Sequence, residues 1–364
     1  MLKEQTYITI SKSAFNHNAV FYKHIIGPSN KIAAVIKGNG YGHGLHQMAL
    51  LCKENEYINV LCVAQLSQAL AIQNCSKPTL VLGYSDTNPE LAIKKNIHFM
   101  VDSIEYAQQF NDLGKRHSYQ FPVHVKIDTG LSRMGVLASQ AVVLLKQLRK
   151  LDYIQISGIF SHFAASDSNP EFTMHQYNQF NTILEELKDN NITIENIHMS
   201  NTVAITSVHY QPYFNFFRIG AGLYGFGPES SQLRPIMTWK THITAIKIIP
   251  ANSYVSYACI YQTTRITRIA LLPIGYYDGY QFRFSNKTFV NINGFYAPVI
   301  GRIAMNVTII DITDIDAHIG DEVIILGGEH SRIDAHNLAQ IAEIKNVREV
   351  LTGINPEIQR IIIE

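Results

Sequence analysis

Between residues 30 and 225, eight short apolar runs alternate with helical or polar segments, and this alternation restricts the fold more than any other feature of the chain. The runs are IAAVIK (32–37), VLCVA (60–64), TLVLG (79–83), IHFMV (97–101), VHVKID (123–128), ISGIFSH (156–162), IHMSN (197–201) and FFRIGAGLYG (216–225). Amphipathic stretches lie between them, such as LASQAVVLLKQLRK (137–150) and PEFTMHQYNQFNTILEELKD (170–189). Short apolar runs separated by helical patterns mark βα units whose strands run parallel. Eight runs in about two hundred residues favour closure into a barrel over an open sheet.

The texture changes after Pro228. PESSQLRP (228–235) is polar with two prolines and reads as a linker. Beyond it stand the β-rich runs THITAIKII, RITRIALLPI, KTFVNIN, APVIG, NVTIIDI and DEVIILGG, with little helical periodicity before DAHNLAQIAE (334–343). The expected fold class is α/β: a (β/α)8 TIM-like barrel over residues 10–234, followed by a mostly antiparallel β domain over 235–364. QTYITI (5–10) alternates too, so residues 1–9 are expected to add a strand to the β domain. Two domains suit a chain of 364 residues.

A formal net charge of +1 offers no field to attract nucleic acid or an anionic membrane. The N-terminus has no apolar run long enough for a signal peptide, and no transmembrane stretch follows. Cys52, Cys62, Cys75 and Cys259 lack metal-ligand spacing, and Cys52 and Cys62 sit in apolar segments as core residues would. These features suit a soluble protein of a reducing compartment, the cytoplasm.

In a parallel βα barrel the chemistry sits at the C-terminal ends of the strands. Polar residues do cluster where the apolar runs stop: Lys37, Lys126 with Asp128, His162 and Asn201, with Arg218 interrupting the eighth run. A lone strand-end lysine usually points into water. Lys37, however, precedes GNGYGHG (38–44), whose four glycines permit positive φ and close approach of a ligand to the backbone. At a crowded mouth beside other cations, a lysine amine can lose its proton and act as a Schiff-base nucleophile. The hydroxyl of Tyr41 suits a phosphate oxygen.

KIAAVIKGNGYGHG (31–44) resembles the cofactor-lysine signature of the bacterial alanine racemases, which have a barrel and a C-terminal β domain. The resemblance continues in the family's order through KIDTGLSRMGV (126–136), GIFSHFAASD (158–167), HMSNT (198–202), FRIGAGLYG (217–225), YVSYACIY (254–261), LPIGYYDGY (272–280) and GRIAMN (301–306). It implies that Lys37 bonds pyridoxal 5'-phosphate as a Schiff base and serves as one of two opposed catalytic bases. The other base would be Tyr257, contributed by the second subunit of a homodimer with shared active sites. Racemisation takes a proton from one face of Cα and returns one to the other, so it needs acid/base groups on both sides. Without its motif, Tyr257 would read as a half-buried strand aromatic.

The same resemblance implies that Arg218 faces the pyridine nitrogen. A guanidinium only donates, so the ring nitrogen would stay unprotonated and the ring would be a weak electron sink. Decarboxylases of related architecture place an acidic residue there, so Arg218 speaks for racemisation. Tyr41, Thr202 and the backbone amides around Gly220 and Ala221 would hold the phosphate, Thr202 standing where serine is usual. An N-cap role for Thr202 is compatible with this, since helix N-termini bind phosphate. Asn201 would fix neighbouring polar groups, while His162 would lie against the pyridine ring or support Arg218. Arg133 matches the residue near the cofactor's phenolic oxygen and the substrate carboxylate. Lys126 matches a lysine often carbamylated in the family; an unmodified Lys126 paired with Asp128 is the alternative. Across the interface, Met305 would offer its amide to the substrate carboxylate, and Tyr276 would line the channel mouth. No metal is implied.

Three departures touch the substrate end: Asn306 for the usual aspartate, Phe282 for a common arginine with Arg283 one place later, and INPEIQR with Pro356 in place of the usual ending. The implied activity is interconversion of L- and D-alanine, supplying D-alanine for peptidoglycan. A serine or broad-specificity racemase is the near alternative, because a small pocket separates substrates differing by one hydroxyl poorly. A non-catalytic pyridoxal-phosphate carrier on a lone barrel is another, against which the β domain with Tyr257 and Met305 speaks. A metal-dependent barrel hydrolase would have to use His43, His46 and His162, and no carboxylate cluster accompanies them.

Overall fold

The computed structural model describes residues 6–207, 213–328 and 330–364. By their contacts these fall into two compact units. One holds Phe15–Gly38 and Met48–Arg234; the other holds the chain up to Ala14, Asn39–Gln47 and Pro235–Glu364.

In the first unit the eight apolar runs are strands of one parallel sheet. In chain order, strand β1 (Thr6–Ser11), which belongs to the other unit, and helix α1 (Lys12–Ile26) precede them. Then follow β2 (Lys31–Val35), the turn α2 (Lys37–Tyr41), α3 (Leu45–Glu54), β3 (Ile58–Val63), α4 (Leu66–Ala71), β4 (Thr79–Val81) and β5 (Ile97–Val101). The unit continues with α5 (Ile104–His117), β6 (Phe121–Asp128), the short β7 (Val136–Leu137), α6 (Ala141–Leu148), β8 (Ile154–Phe160), α7 (Pro170–Asp189), β9 (Asn196–His198), α8 (Thr202–Ser207) and β10 (Phe216–Ile219). The sheet order β10-β2-β3-β4-β5-β6-β8-β9 brings the last strand beside the first. At the seam, Asn215 N donates to Ile197 O at 3.2 Å, which nearly closes the barrel.

The helices begin where local chemistry starts them. Ser103 caps α5 by accepting from Tyr106 N. Asn169 caps α7 by accepting from Phe172 N, with Pro170 in the first turn, where its missing N–H costs nothing. Outside the strands, Phe110 of α5 packs on Phe99 at 4.6 Å and on Phe121 at 5.5 Å. Barrel interiors are usually filled by branched aliphatic side chains. This lumen instead holds rings: Phe160 stacks on His198 at 4.7 Å, and Phe216 lies 4.4 Å from His198 and 5.9 Å from His124.

The second unit contains the antiparallel strands expected after the linker: β11 (Met237–His242), β12 (Ala245–Ile249), β13 (Thr267–Leu272), β14 (Phe289–Ile292), β15 (Phe295–Pro298), β16 (Thr308–Asp311) and β17 (Glu322–Gly327). Helices α9 (Ala335–Ile341) and α10 (Val347–Thr352) and strand β18 (Gln359–Ile363) follow. One sheet runs β15-β14-β17-β11-β1-β18, and a smaller one runs β12-β13-β16. The N-terminal strand pairs antiparallel with β11 and parallel with β18, the latter pairing being invisible to sequence periodicity. Trp239 and Tyr280 meet edge to face at 6.1 Å in its core. Residues 39–47 pack with this unit: Arg360 of β18 donates from Nε and Nη2 to Gly42 O at 3.3 and 3.1 Å. A Cβ at Gly42 would stand 2.0 Å from Leu351 O, so only glycine fits there.

Candidate active site

Lys37 does not end the first strand. Strand β2 stops at Val35, and Lys37 opens the turn α2. Gly38, Asn39, Gly40 and Tyr41 have φ of 62°, 52°, 59° and 52°, so the turn winds in the left-handed sense. Such a conformation costs an ordinary L-residue roughly 1–2 kcal/mol, and glycine nearly nothing, which explains the alternating glycines. Side chains lock it. Asn39 Oδ1 accepts from Leu45 N at 2.9 Å, and His43 Nδ1 donates to the carbonyls of Gly40 and Tyr41 at 3.1 and 3.0 Å. His43 is thus committed to the backbone, and among the described residues no group of three or more His, Cys, Asp or Glu is placed to hold a metal ion.

Arg218, the third residue of β10, is buried inside the barrel. Its Nη2 donates to Ser161 O (2.8 Å), Met199 O (3.0 Å) and His162 Nδ1 (3.0 Å), and its Nη1 donates to His198 Nδ1. Its guanidinium carbon lies 5.3 Å from the Phe160 ring centre. Among the described residues no carboxylate bonds to it. Burial pushes its pKa down to about 10, so it stays charged at neutral pH.

That charge is one of four at the same place. Burial first, then the charges of Arg218, Arg133, Lys126 and Lys37, hold His162 well below its ordinary pKa. Burial pushes the Cys62 thiol up to about 12, against the pull of Arg218 and Lys37. Lys37, Lys126, Arg133 and Arg218 therefore converge on one barrel mouth. His162 lies two residues beyond β8 and acts on Arg218 directly.

The Arg133 loop is held by two carboxylates. Asp128 Oδ1 accepts from Gly130 N (2.9 Å) and Ser132 N (3.1 Å), while Asp102 Oδ2 accepts from Gly135 N (3.1 Å). Arg133 itself is exposed and Lys126 buried. The Lys126 ammonium lies 5.7 Å from the Phe160 ring centre.

Thr202 is not a helix cap. It is the first residue of α8, and Asn201 Oδ1 takes the capping role by accepting from Ala204 N at 3.0 Å. The Thr202 hydroxyl instead accepts from Gly220 N (3.2 Å) and Gly222 N (3.4 Å), which ties α8 to the segment after β10. Ala221 opens the buried 3-10 turn Ala221–Tyr224. Tyr22 meets Gly222 so closely that a Cβ there would lie 2.3 Å from its ring.

In the other unit Tyr257 is not a strand residue. It sits in a 3-10 turn (Tyr257–Cys259), two-thirds exposed, between residues with positive φ: Ser256 (62°), Ala258 (61°) and Cys259 (53°). Ser256 Oγ donates to Arg302 O at 2.6 Å. The Arg302 guanidinium lies over the Phe282 ring, which contacts Tyr276. Tyr276 N and Tyr277 N donate to Ala304 O and Met305 O. Tyr257, Tyr276, Phe282 and Met305 are all exposed, on segments that these contacts join. Sequence reasoning missed the histidines His98, His124 and His198 as a group. Their signal was a histidine in second place in three of the apolar runs.

Comparison with known proteins finds family models described as the alanine racemase N-terminal domain over residues 10–228 and the alanine racemase C-terminal domain over 236–362. Alanine racemase 2 of Caldanaerobacter subterraneus subsp. tengcongensis is 34% identical, the match spanning 98% of this chain and 95% of that one. The Helicobacter pylori alanine racemase is 31% identical over 99% and 100%. Among solved structures, alanine racemase of Clostridium difficile superposes with a TM-score of 0.92 at 32% identity, over 100% of this chain and 97% of that one. The alanine racemase of Bacillus anthracis with bound L-Ala-P has a TM-score of 0.87 at 26% identity, over 100% and 96%.

Lys126 gives a direct electrostatic test. Burial first, then Arg133 and Arg218, lower its pKa to about 8, against Asp102 and Asp128. Between about pH 8 and 10.5 the unfolded chain keeps a proton that the folded protein has released, so this group's penalty on stability fades as pH rises through that window. In a 13Cε titration Lys126 is expected to titrate near 8. Arg133→Gln should raise that midpoint and Asp128→Asn lower it; no movement in either variant would contradict the charge cluster.

Proposed function

The chain belongs to the alanine racemase family, and from that premise we propose that it interconverts L- and D-alanine on pyridoxal 5'-phosphate held at the barrel mouth, supplying D-alanine for peptidoglycan. The observation that carries this reading is the convergence of Lys37, Lys126, Arg133 and Arg218 around His162. An excess of cations suits a phosphorylated cofactor and a substrate carboxylate. The donor set fits in detail. A guanidinium has five N–H donors, and four described acceptors meet that of Arg218, which leaves capacity for a ring nitrogen.

When bound, pyridoxal phosphate supplies an aldehyde that captures the amino group and a conjugated ring that acidifies the Cα–H bond. The chain's residues do the rest. Lys37 would hold the cofactor, and its amine, when free, would give or take the Cα proton on one face. Tyr257 of a second copy of this chain holds the proton on the opposite face. Its exposure, and that of Tyr276, Phe282 and Met305 on the joined segments, supports a homodimer whose sites are shared. Arg218 would donate to the ring nitrogen and, by keeping it unprotonated, would limit side reactions.

Tyr41, Thr202 and the amides near Gly220 and Ala221 take the phosphate, and Asn201 holds α8 in place for them. Because Gly220 N already donates to Thr202, this loop arrives pre-ordered. His162 supports Arg218. Arg133 meets the substrate carboxylate with the Met305 amide of the second copy, whose Tyr276 lines the channel mouth. Carbamylation of Lys126 would bond its amine nitrogen to carbon dioxide and release one proton. It needs the neutral amine, which a pKa near 8 supplies. The anion so formed could orient Arg133. No described helix is long and apolar enough to cross a membrane; the free cysteines Cys52, Cys62, Cys75 and Cys259 suit a reducing compartment and so support a cytoplasmic enzyme.

Two measurements test this reading. With L-alanine and L-serine compared at equal enzyme, kcat/KM should favour alanine; a preference of about ten- to a hundredfold is what one hydroxyl can bring. Equal efficiencies would favour the broad-specificity alternative. Tyr257→Phe should lower L-to-D turnover by roughly 10²–10⁴, the usual worth of a general base. It should leave the absorbance of bound cofactor intact, and loss of cofactor binding would contradict the assigned role.

A further inference from the structure

The barrel lumen holds three imidazoles that no step above uses as a group. His98 Nδ1 lies 3.3 Å from His124 Nε2, His124 Nδ1 lies 2.9 Å from His198 Nε2, and His198 Nδ1 meets Arg218 Nη1. His98 is the second residue of β5, near the charges of Lys31 and Glu195, which stand at the start of β2 and just before β9. The chain of rings therefore crosses the barrel from the end where its strands begin to the guanidinium near the end where they stop.

The chemistry of its last member sets the direction of every bond. A guanidinium can only donate, so His198 Nδ1 must accept. A neutral ring that accepts at Nδ1 carries its proton at Nε2, so His198 donates to His124 Nδ1. His124 is forced into the same form and donates to His98 Nδ1. Burial keeps His124 and His198 neutral, the Arg218 charge adding to it. A second proton on any of the three rings would set donor against donor.

The backbone makes room for this arrangement. The pairing of β6 with β8 shifts register between Val123 and His124. Opposite the ring stands Gly158, where a Cβ would lie 2.4 Å from His124 Nδ1. Phe160 stacks parallel on His198, which holds the terminal ring in plane.

We propose that His98 and His124 are positioning residues for Arg218, completing a one-way donor chain that fixes His198 Nδ1 as an acceptor and so fixes the guanidinium. The effect on catalysis rests on Arg218 facing the cofactor's ring nitrogen; the polarity of the chain does not. In 15N-histidine-labelled, pyridoxal-phosphate-loaded protein at neutral pH, 1H–15N couplings should show all three rings protonated at Nε2 alone. A proton on Nδ1 of any of them would overturn the proposal.

His98→Phe leaves the buried Nε2–H of His124 without its acceptor. It should lower kcat on alanine about tenfold with KM changed less than about twofold, and should alter the His124 and His198 couplings. His98→Gln, whose amide oxygen can accept, should restore most of the rate. Wild-type kcat and unchanged couplings in His98→Phe would refute the assignment. If His98→Phe does not fold, the wild-type couplings and the His98→Gln rate decide. Should the wild-type protein fail to racemise alanine while its couplings are as expected, the functional reading fails and the donor chain stands.

Discussion

A guanidinium buried inside a barrel, with no carboxylate bonded to it among the described residues, must be stabilised by neutral acceptors. Arg218 meets two backbone carbonyls, two imidazoles and the face of Phe160. Removing any of these leaves a desolvated charge short of a partner, a far larger loss than breaking an exposed pair. A carboxylate in this place would neutralise the arginine and draw its donors away from the proposed cofactor. Neutral rings leave its charge and spare donor capacity directed at what binds. The lumen is therefore aromatic and imidazole-rich where aliphatic layers would ordinarily fill it. Burial and the Arg218 charge hold His162 and His198 neutral, so both can accept from it.

The lysine side of the site answers to a different constraint. The turn from Lys37 to Tyr41 runs through the left-handed region, a shape that only a glycine-rich run adopts at low cost. It is held by the His43 ring on the carbonyls of Gly40 and Tyr41, and residues 39–47 are fastened to the β unit by Arg360 on Gly42 O. A reactive amine on a relaxed loop would sample many positions.

Much of this was legible in the residues. The eight apolar runs became strands, because alternation of buried runs with amphipathic helices has few other solutions, and the polar residues at their ends gathered at one mouth by the geometry of parallel strands. What escaped was of two kinds. Local backbone hand is not written in periodicity, so Lys37 looked like a strand end when it opens a left-handed turn. Thr202 likewise looked fit to cap α8, yet its neighbour Asn201 does so, because the Thr202 hydroxyl is occupied by the amides after β10. Long-range partnerships were the other kind. A single histidine in IHFMV, VHVKID or IHMSN reads as core filling, and only the register of β5, β6 and β9 brings the three rings into a line. The parallel pairing of β1 with β18 was hidden for the same reason, since it joins the two ends of the chain.

The central claim is that Lys37 is the residue that holds the cofactor. Borohydride reduction of the pyridoxal-phosphate-loaded protein, followed by proteolysis and mass spectrometry, should place the fixed pyridoxyl group on the peptide containing Lys37 and remove racemase activity with it. A label on Lys126 or any other lysine, with Lys37 unmodified, would contradict the account.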